Sequence, residues 1–321
     1  MKQYDVVVVG GGAAGLSAAL VLSRSRRQVL VVDSGEPRNA PATHMHGFLS
    51  RDGMPPSALL VEGRREVRGY GGAIVTGRVA RLRRLEESFE VTLDDGFVVA
   101  ARRLLVATGL VDELPDVAGL RERWARDVLH CPYCHGHEVR DQRLGVLAWS
   151  PDSVHYAQVV RQWSHDVVVF SPPATLTDEQ REQLTARAIG IVEGDVARVL
   201  VEDDRLQAVV LDDGRSVARD VVFVPPRFVP NVDLLAGLGC QLDEHGWPVT
   251  DATGLTTVPG VWAAGNVRNP RAQVITAAGE GSSAAIALNA DLVTEDVRDA
   301  VRARRGDTPT APPHSTEGTQ Q

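Results

Sequence analysis

The 321-residue chain has few cysteines, no excess of basic residues and no long apolar run. Three cysteines are too few for the disulfide scaffold of a small secreted protein. The 34 basic and 42 acidic residues leave a net charge of -8, which gives no basic footprint for nucleic acid. No apolar run approaches the ~20 residues that span a bilayer, and the first predicted strand begins by residue 5, without room for a signal peptide. We therefore expect a cytoplasmic protein with neither a nucleic-acid nor a membrane partner.

The chain opens with the pattern of a strand, a glycine-rich loop, a helix and a second strand. Residues 4–9 form an almost continuous apolar run, which is typical of a strand buried on both faces of a parallel sheet. Residues 14–24 predict a helix, and residues 28–32 predict a strand that ends at an acid, Asp33. The loop between them reads Gly-Gly-Gly-Ala-Ala-Gly over residues 10–15. This βαβ unit predicts a dinucleotide-binding domain.

Four residues of this unit have separate roles. Gly10 permits the tight turn, Gly12 lets the backbone approach a pyrophosphate, and Gly15 lets the helix pack closely on the strand. Asp33 stands where an acid bonds a ribose hydroxyl in such domains.

Two of the three cysteines stand in the segment Cys131-Pro132-Tyr133-Cys134-His135-Gly136-His137-Glu138. Two thiols separated by two residues can close a disulfide within one turn, and a dinucleotide loop can supply the redox cofactor that exchanges the electron pair. Together they predict dithiol/disulfide chemistry on a flavin. A zinc site would need two further ligands, but Cys240 is remote, and His135 and His137 diverge by about 200° on a helix. We therefore predict no metal site.

The order of predicted elements indicates an α/β protein of two nested Rossmann-like domains. The length suits about two domains, and 43% hydrophobic content is enough for their cores. The predicted divisions are residues 1–113 for the first part of the FAD-type domain, 114–244 for an inserted domain that carries the cysteine pair, 245–302 for the second part, and 303–321 for a disordered tail. The inserted domain contains a second α/β pattern, which begins at Arg143.

Four motifs in this order resemble the thioredoxin-reductase-like FAD disulfide oxidoreductases over nearly the whole chain except the tail. They are the glycine loop, Ala107-Thr108-Gly109, the cysteine segment, and residues 262–266 followed by 271–279. The resemblance implies FAD as cofactor, with Gln273 and Val274 beside its isoalloxazine ring, and a homodimer as the usual assembly. The implied cofactor contacts are Gly10, Gly12, Ala13, Ala14, Gly15, Asp33, Ser34, Arg38, Ala107, Thr108, Gly109, Gly265, Asn266, Gln273 and Val274.

Asn266 stands where the family usually has an acid. A neutral amide can still bond a ribityl hydroxyl as donor or acceptor, so FAD stays the expected cofactor.

The inserted domain departs from the family at its nicotinamide site. Family reductases bind NADPH there through a second glycine loop, with basic residues after the next strand. This chain has Trp149-Ser150-Pro151-Asp152-Ser153 in place of that loop, and residues 171–176 contain neither arginine nor lysine. A bulky side chain, a proline without an N–H donor and an acid all oppose a pyrophosphate. We therefore expect the usual source of electrons to be lost.

The second departure follows the cysteine pair. Reductases usually have an aspartate after the second cysteine as proton donor, whereas this chain has His135, with His130 and His137 nearby. A histidine with a pKa near 6.5 can accept a thiol proton at neutral pH. This pattern and the degraded loop resemble the branch of dithiol oxidases that close disulfides in small metabolites of the holomycin and gliotoxin kind.

That resemblance implies a catalytic group of Cys131, Cys134, His135 and His137. By family analogy Cys131 exchanges with the substrate, and Cys134 lies nearer the flavin. The expected partners are a small-molecule dithiol and O2, which becomes hydrogen peroxide.

Two other functions stay open on the sequence. A thioredoxin-like disulfide reductase could draw electrons from a ferredoxin-type donor or from NADPH. A non-enzymatic redox sensor could use the cysteine pair only to report redox state, although a sensor does not need several general bases. The loop of residues 38–56 contains His44 and His46, which either line the substrate pocket or are ordinary loop histidines.

Overall fold

The computed structural model describes residues 2–149 and 153–306. The elements before the cysteine pair are β1 (Lys2–Val9), α1 (Ala13–Arg24), β2 (Val29–Asp33), α2 (Pro56–Gly69), β3 (Ala73–Thr76), β4 (Val79–Arg84), β5 (Phe89–Leu93), β6 (Val98–Val106), β7 (Leu110–Glu113) and β8 (Val128–Leu129). The next elements are α3 (Pro132–His135), β9 (Leu144–Leu147), α4 (Ser153–Val160), β10 (Val167–Ser171), α5 (Asp178–Ala186), β11 (Gly190–Glu193), β12 (Val196–Glu202), β13 (Arg205–Leu211), β14 (Ser216–Ala218), β15 (Val221–Phe223) and β16 (Arg227–Pro230). The chain then forms α6 (Asp233–Gly237), β17 (Val261–Ala263), a 3-10 turn (Gly265–Val267) and α7 (Val274–Arg305).

The first sheet has the strand order β3-β2-β1-β6-β5-β4, with β17 added beside β6. Strands β3, β2, β1, β6 and β17 run parallel, and the hairpin strands β5 and β4 run antiparallel to their neighbours. Helices α1 and α7 pack on one face of this sheet. Their close approach requires Gly281, because a Cβ atom there would lie 2.0 Å from the carbonyl oxygen of Ala14.

The second sheet is fully parallel, in the order β11-β10-β9-β15-β8. Helices α4 and α5 cover one of its faces, where Val154, Ala157 and Leu184 are buried. The antiparallel strands β12, β13 and β14 supply the apolar cover of the other face. Burial on both faces explains why these strands read as continuous apolar runs. The predicted α/β class with nested Rossmann-like sheets is confirmed.

Strands β7 and β16 pair antiparallel where the chain leaves the first sheet and returns to it. The return at β16 lies earlier than the boundary expected at residue 245. The reason is long-range packing, since Leu235 and Cys240 are buried against Val258 and Val261 in the core of the first sheet. The segment after β16 therefore belongs with the first sheet.

Helix α7 extends to Arg305, three residues into the tail that was expected to be disordered from residue 303. Gly306 ends it with a φ of 73°, in the left-handed region that glycine adopts without strain. Residues 307–321 of the predicted tail lie outside the described residues. Nowhere in the described part of the chain does a helix combine the length and the apolarity needed to cross a membrane.

Candidate functional site

A cavity of about 1640 Å³ lies between the glycine loop, the loop of residues 34–55, and the short helix α3. Most of the sequence-predicted site lines it: Gly10, Gly12, Ala13, Ala14, Asp33, Ser34, Arg38, Ala107, Thr108, Gly109, Asn266, Gln273, Val274, Cys131, Cys134 and His135. Gly15, Gly265 and His137 are not on its wall. The cavity therefore brings the predicted cofactor residues and the cysteine pair to one place.

The glycine loop has the geometry of a pyrophosphate cradle. Gly10 has a φ of 103°, and a Cβ atom there would lie 2.4 Å from the carbonyl oxygen of Ala107. Gly15 allows α1 to pack on the loop, because its Cβ would lie 1.9 Å from the carbonyl oxygen of Gly10. Gly12 faces open space and begins α1 without a side-chain cap, so the first amides of the helix are left for an anionic group. These residues fit the pyrophosphate of FAD.

Asp33 has two protein partners at the edge of the cavity. The Gly11 amide donates to its Oδ1 at 3.1 Å, and Arg64 Nη2 donates to its Oδ2 at 2.7 Å. Each carboxylate oxygen keeps a further lone pair for a ribose hydroxyl. Sequence reasoning missed both partners. Gly11 stands inside the glycine loop and could have been found there, whereas Arg64 comes from α2 and left no local signal.

Arg38 and Asn266 line the cavity and also bond each other. Arg38 donates two hydrogen bonds, of 2.8 and 2.6 Å, to the carboxylate of Asp112, and its Nη1 donates to Asn266 Oδ1 at 3.1 Å. Asn266 Nδ2 donates to the carbonyl oxygens of Asn269 and Ala272, each at 3.0 Å. A carboxylate at position 266 could not donate to these two carbonyls, which explains the amide where the family usually has an acid.

Gly265 takes a left-handed conformation, and its amide donates to Glu280 Oε2 at 2.9 Å. The side chain of Thr108 donates to the carbonyl oxygen of Asn231 at 2.8 Å, and Asn231 Nδ2 returns a bond of 2.8 Å to the Thr108 carbonyl. Glu280 and Asn231 were not among the predicted residues. They hold the turns at Gly265 and Thr108 in shape. Both partners are distant along the chain, so a single sequence gives no sign of these contacts.

Cys131 and Cys134 form a disulfide across the first turn of α3, with their Cα atoms 5.2 Å apart. Cys131 is the N-cap, and its sulfur accepts a hydrogen bond of 3.2 Å from the Cys134 amide. Pro132 follows at a helix position where its missing N–H costs nothing. Gln273 Nε2 lies 4.0 Å from Cys134 Sγ. Cys134 is therefore the sulfur next to the residue expected beside the flavin ring.

His135 is the histidine of this segment that lines the cavity. It is half-buried, and this burial lowers its pKa below the ordinary value, an effect that the charge of Glu138 partly opposes and that of His46 adds to. A neutral imidazole can accept a proton from a thiol. His137 is exposed and does not line the cavity.

His130 has a different environment on the other side of the cysteines. Its ring stacks 6.2 Å from Trp124 and meets Phe228 edge-on at 5.5 Å. Burial, with a smaller effect of Arg38, lowers the pKa of His130 to about 4. This histidine is neutral at working pH, and its carbonyl oxygen accepts a hydrogen bond from the hydroxyl of Tyr156 on α4.

The sequence matches the pyridine nucleotide-disulphide oxidoreductases over residues 4–281. The chain belongs to this family. Thioredoxin reductase sirT of Leptosphaeria maculans is 31% identical, over 92% of this chain and 96% of the relative. Thioredoxin reductase aclD of Aspergillus oryzae is 29% identical, over 91% and 98%.

Solved structures agree with this assignment to the disulphide oxidoreductases. The crystal structure of HlmI shares 58% identity and a TM-score of 0.91, covering 93% of this chain and 95% of that chain. An oxidoreductase from Agrobacterium tumefaciens shares 38% identity and a TM-score of 0.86, covering 92% and 99%. The predicted thioredoxin-reductase-like class and the FAD cofactor are confirmed, and the protein is a flavin-dependent oxidoreductase.

The nicotinamide region of this disulphide oxidoreductase is partly described. Trp149 Nε1 donates to the carbonyl oxygen of Pro225 at 3.0 Å, and His155 and Tyr156 at the start of α4 face the main cavity. Within the segment that replaces the family's second glycine loop, residues 150–152 lie outside the described residues. The described side chains named here bond to the protein itself or line the cavity.

Proposed function

We propose that the protein is an FAD-dependent dithiol oxidase that closes a disulfide in a small-molecule dithiol of the secondary-metabolite type. The observation that carries the proposal is the position of the Cys131–Cys134 disulfide, which faces the cofactor cavity beside the half-buried His135. The sequence around residues 149–153 and 171–176 supports it, because nothing there suits a pyrophosphate or a 2′-phosphate. A homodimer in the cytoplasm stays a prediction.

The reaction begins with a proton transfer and two thiol exchanges. His135 takes the proton of a substrate thiol, and the thiolate attacks Cys131 Sγ, which breaks the Cys131–Cys134 bond. The second substrate sulfur then attacks the mixed disulfide, so one S–S bond forms in the product as one is lost from the enzyme. Gln273, which is expected beside the flavin ring, has its Nε2 4.0 Å from Cys134 Sγ. FAD, when bound, supplies the acceptor for the electron pair, and O2 takes it finally as hydrogen peroxide.

A disulfide reductase is the second candidate, and the relatives named thioredoxin reductase favour it. It would run the same sulfur exchange in the opposite direction, with NADPH or a ferredoxin-type protein as donor. A redox sensor is the third candidate, and it would stop after one equivalent of dithiol.

We expect NADPH and NADH to leave the bound FAD oxidised under anaerobic conditions, whereas dithiothreitol bleaches it. In air, dithiothreitol should turn over with equal amounts of O2 consumed and hydrogen peroxide formed, since no nicotinamide is needed. Stopped-flow absorbance and an oxygen electrode measure the two results, with an NADPH-dependent thioredoxin reductase as positive control. Rapid bleaching of the flavin by NADPH would favour the reductase instead. Dithiothreitol consumption that ends after one equivalent would indicate the sensor.

A further inference from the structure

A second histidine contacts the cysteine segment from the loop of residues 34–55. His46 Nε2 lies 3.6 Å from Glu138 Oε1, and His46 Nδ1 lies 3.4 Å from Asp52 Oδ2. The amide of Gly47 donates to Asp52 Oδ1 at 2.8 Å, which holds that carboxylate in place. His46 therefore lies between an acid of its own loop and an acid that follows α3.

Two of these groups, His46 and Glu138, also act electrostatically on His135. Glu138 raises the pKa of His135, and His46 lowers it, while burial has the largest effect. His137 and His46 both lower the pKa of Asp52, after the bond from Gly47. The titratable groups that act on His46 and its partners are thus His135, Glu138, Asp52 and His137.

His46 is less exposed than either of the carboxylates that it contacts. Its side chain is 22% exposed, that of Glu138 is 42% exposed and that of Asp52 is 67% exposed. His46 and the half-buried His135 both line the cavity, whereas the two carboxylates reach solvent. This arrangement suits a route for a proton from the cavity through His46 to water.

The proposed reaction needs such a route. A substrate dithiol and the enzyme disulfide give the product disulfide, the Cys131 thiol, the Cys134 thiolate and one proton. Two electrons pass from the substrate sulfurs to the enzyme sulfurs, one substrate proton stays on Cys131, and the other must leave. His135 has a lowered pKa and holds that proton weakly, so it must pass it on before the next substrate arrives.

We propose that His46, with Glu138 and Asp52, carries the proton from His135 to solvent during each dithiol exchange. His46 lines the same cavity as His135, and its two ring nitrogens face the more exposed carboxylates of Glu138 and Asp52. This role rests on the proposed function. His46 acts through His135 and is a positioning and proton-carrying residue, which does not touch the reacting sulfurs.

The test compares His46→Gln with His245→Gln, a control that changes the same residue type at an exposed position that does not line the cavity. Wild type and variants, loaded with FAD, are mixed anaerobically with dithiothreitol in weak buffer that contains a pH indicator dye. We expect the wild type and His245→Gln to release a proton as fast as the disulfide product forms. In His46→Gln, proton release should be slower by up to ~10²-fold, which is the smallest rate loss typical of removing a general base that acts directly. Added imidazole should restore the rate of proton release.

Glu138→Gln tests the same route at an exposed position where folding is not at risk. It should also slow proton release, and imidazole should restore the rate. Release from His46→Gln and Glu138→Gln that is as fast as in wild type and insensitive to imidazole would overturn the route. A wild type that forms no oxidised dithiothreitol would instead overturn the proposed function, so the two failures are distinct.

Discussion

Replacing Cys131 by serine should abolish dithiol oxidation and give the holoenzyme a long-wavelength absorption band that Cys134→Ser lacks. The band arises when a thiolate lies against oxidised flavin, and the variant leaves Cys134 as that thiolate. Cys134 is the sulfur 4.0 Å from Gln273 Nε2, beside the residues expected at the ring, while Cys131 stands at the N-cap of α3. Absorbance spectra of both variants, recorded above and below the pKa of the remaining thiol, measure the difference.

Cys240→Ser is the matched control for this experiment. Cys240 is buried in the core of the first sheet, its thiol donates to Thr256 Oγ1 at 3.4 Å, and burial raises its pKa. It should keep full turnover and an unchanged spectrum because it stays protonated away from the cavity. A band in Cys134→Ser, with none in Cys131→Ser, would reverse the assigned roles of the two cysteines.

The local parts of the fold could be predicted from the sequence because short-range rules determine them. The apolar run of β1 is buried on both faces of a parallel sheet, and Gly10 and Gly15 stand where any Cβ would collide with backbone. The return of the chain at β16 could not be predicted. Leu235 and Cys240 join the core of the first sheet through packing with distant residues, and no change of composition marks that point.

The reactive residues of the site could be predicted from the sequence, but most of the contacts that hold the site in position could not. The spacing of Cys131 and Cys134 and the histidine that follows them are visible in a single segment, and the cavity includes all three. The bonds from Arg64 to Asp33 and from Gly265 to Glu280, and the contact of His46 with Glu138, join different elements. Each of these contacts depends on the tertiary fold, so no periodicity or motif in a single sequence indicates it.

His135→Ala should slow dithiol oxidation by ~10²–10⁴-fold near neutral pH, the usual cost of losing a general base. The imidazole lines the cavity that holds the disulfide, and its neutral form is the base. Burial lowers its pKa, so this form persists to lower pH than in a free histidine, and the wild-type rate should fall only below the ordinary pKa of about 6.5. The variant depends on thiols that ionise unaided, and its rate should recover about tenfold per pH unit up to a thiol pKa near 8.5.

His137→Ala provides the comparison, since it removes the same group two residues away at an exposed position outside the cavity wall. Its loss should be much smaller, and its pH–rate profile should keep the wild-type shape because the base at His135 remains. Initial rates of dithiothreitol oxidation from acid to alkaline pH, at saturating substrate, separate the two variants. Equal rates for wild type and His135→Ala throughout this range would falsify the role of His135. A larger loss in His137→Ala would transfer the role of base to that residue, and would require the segment after α3 to bring its side chain to the disulfide.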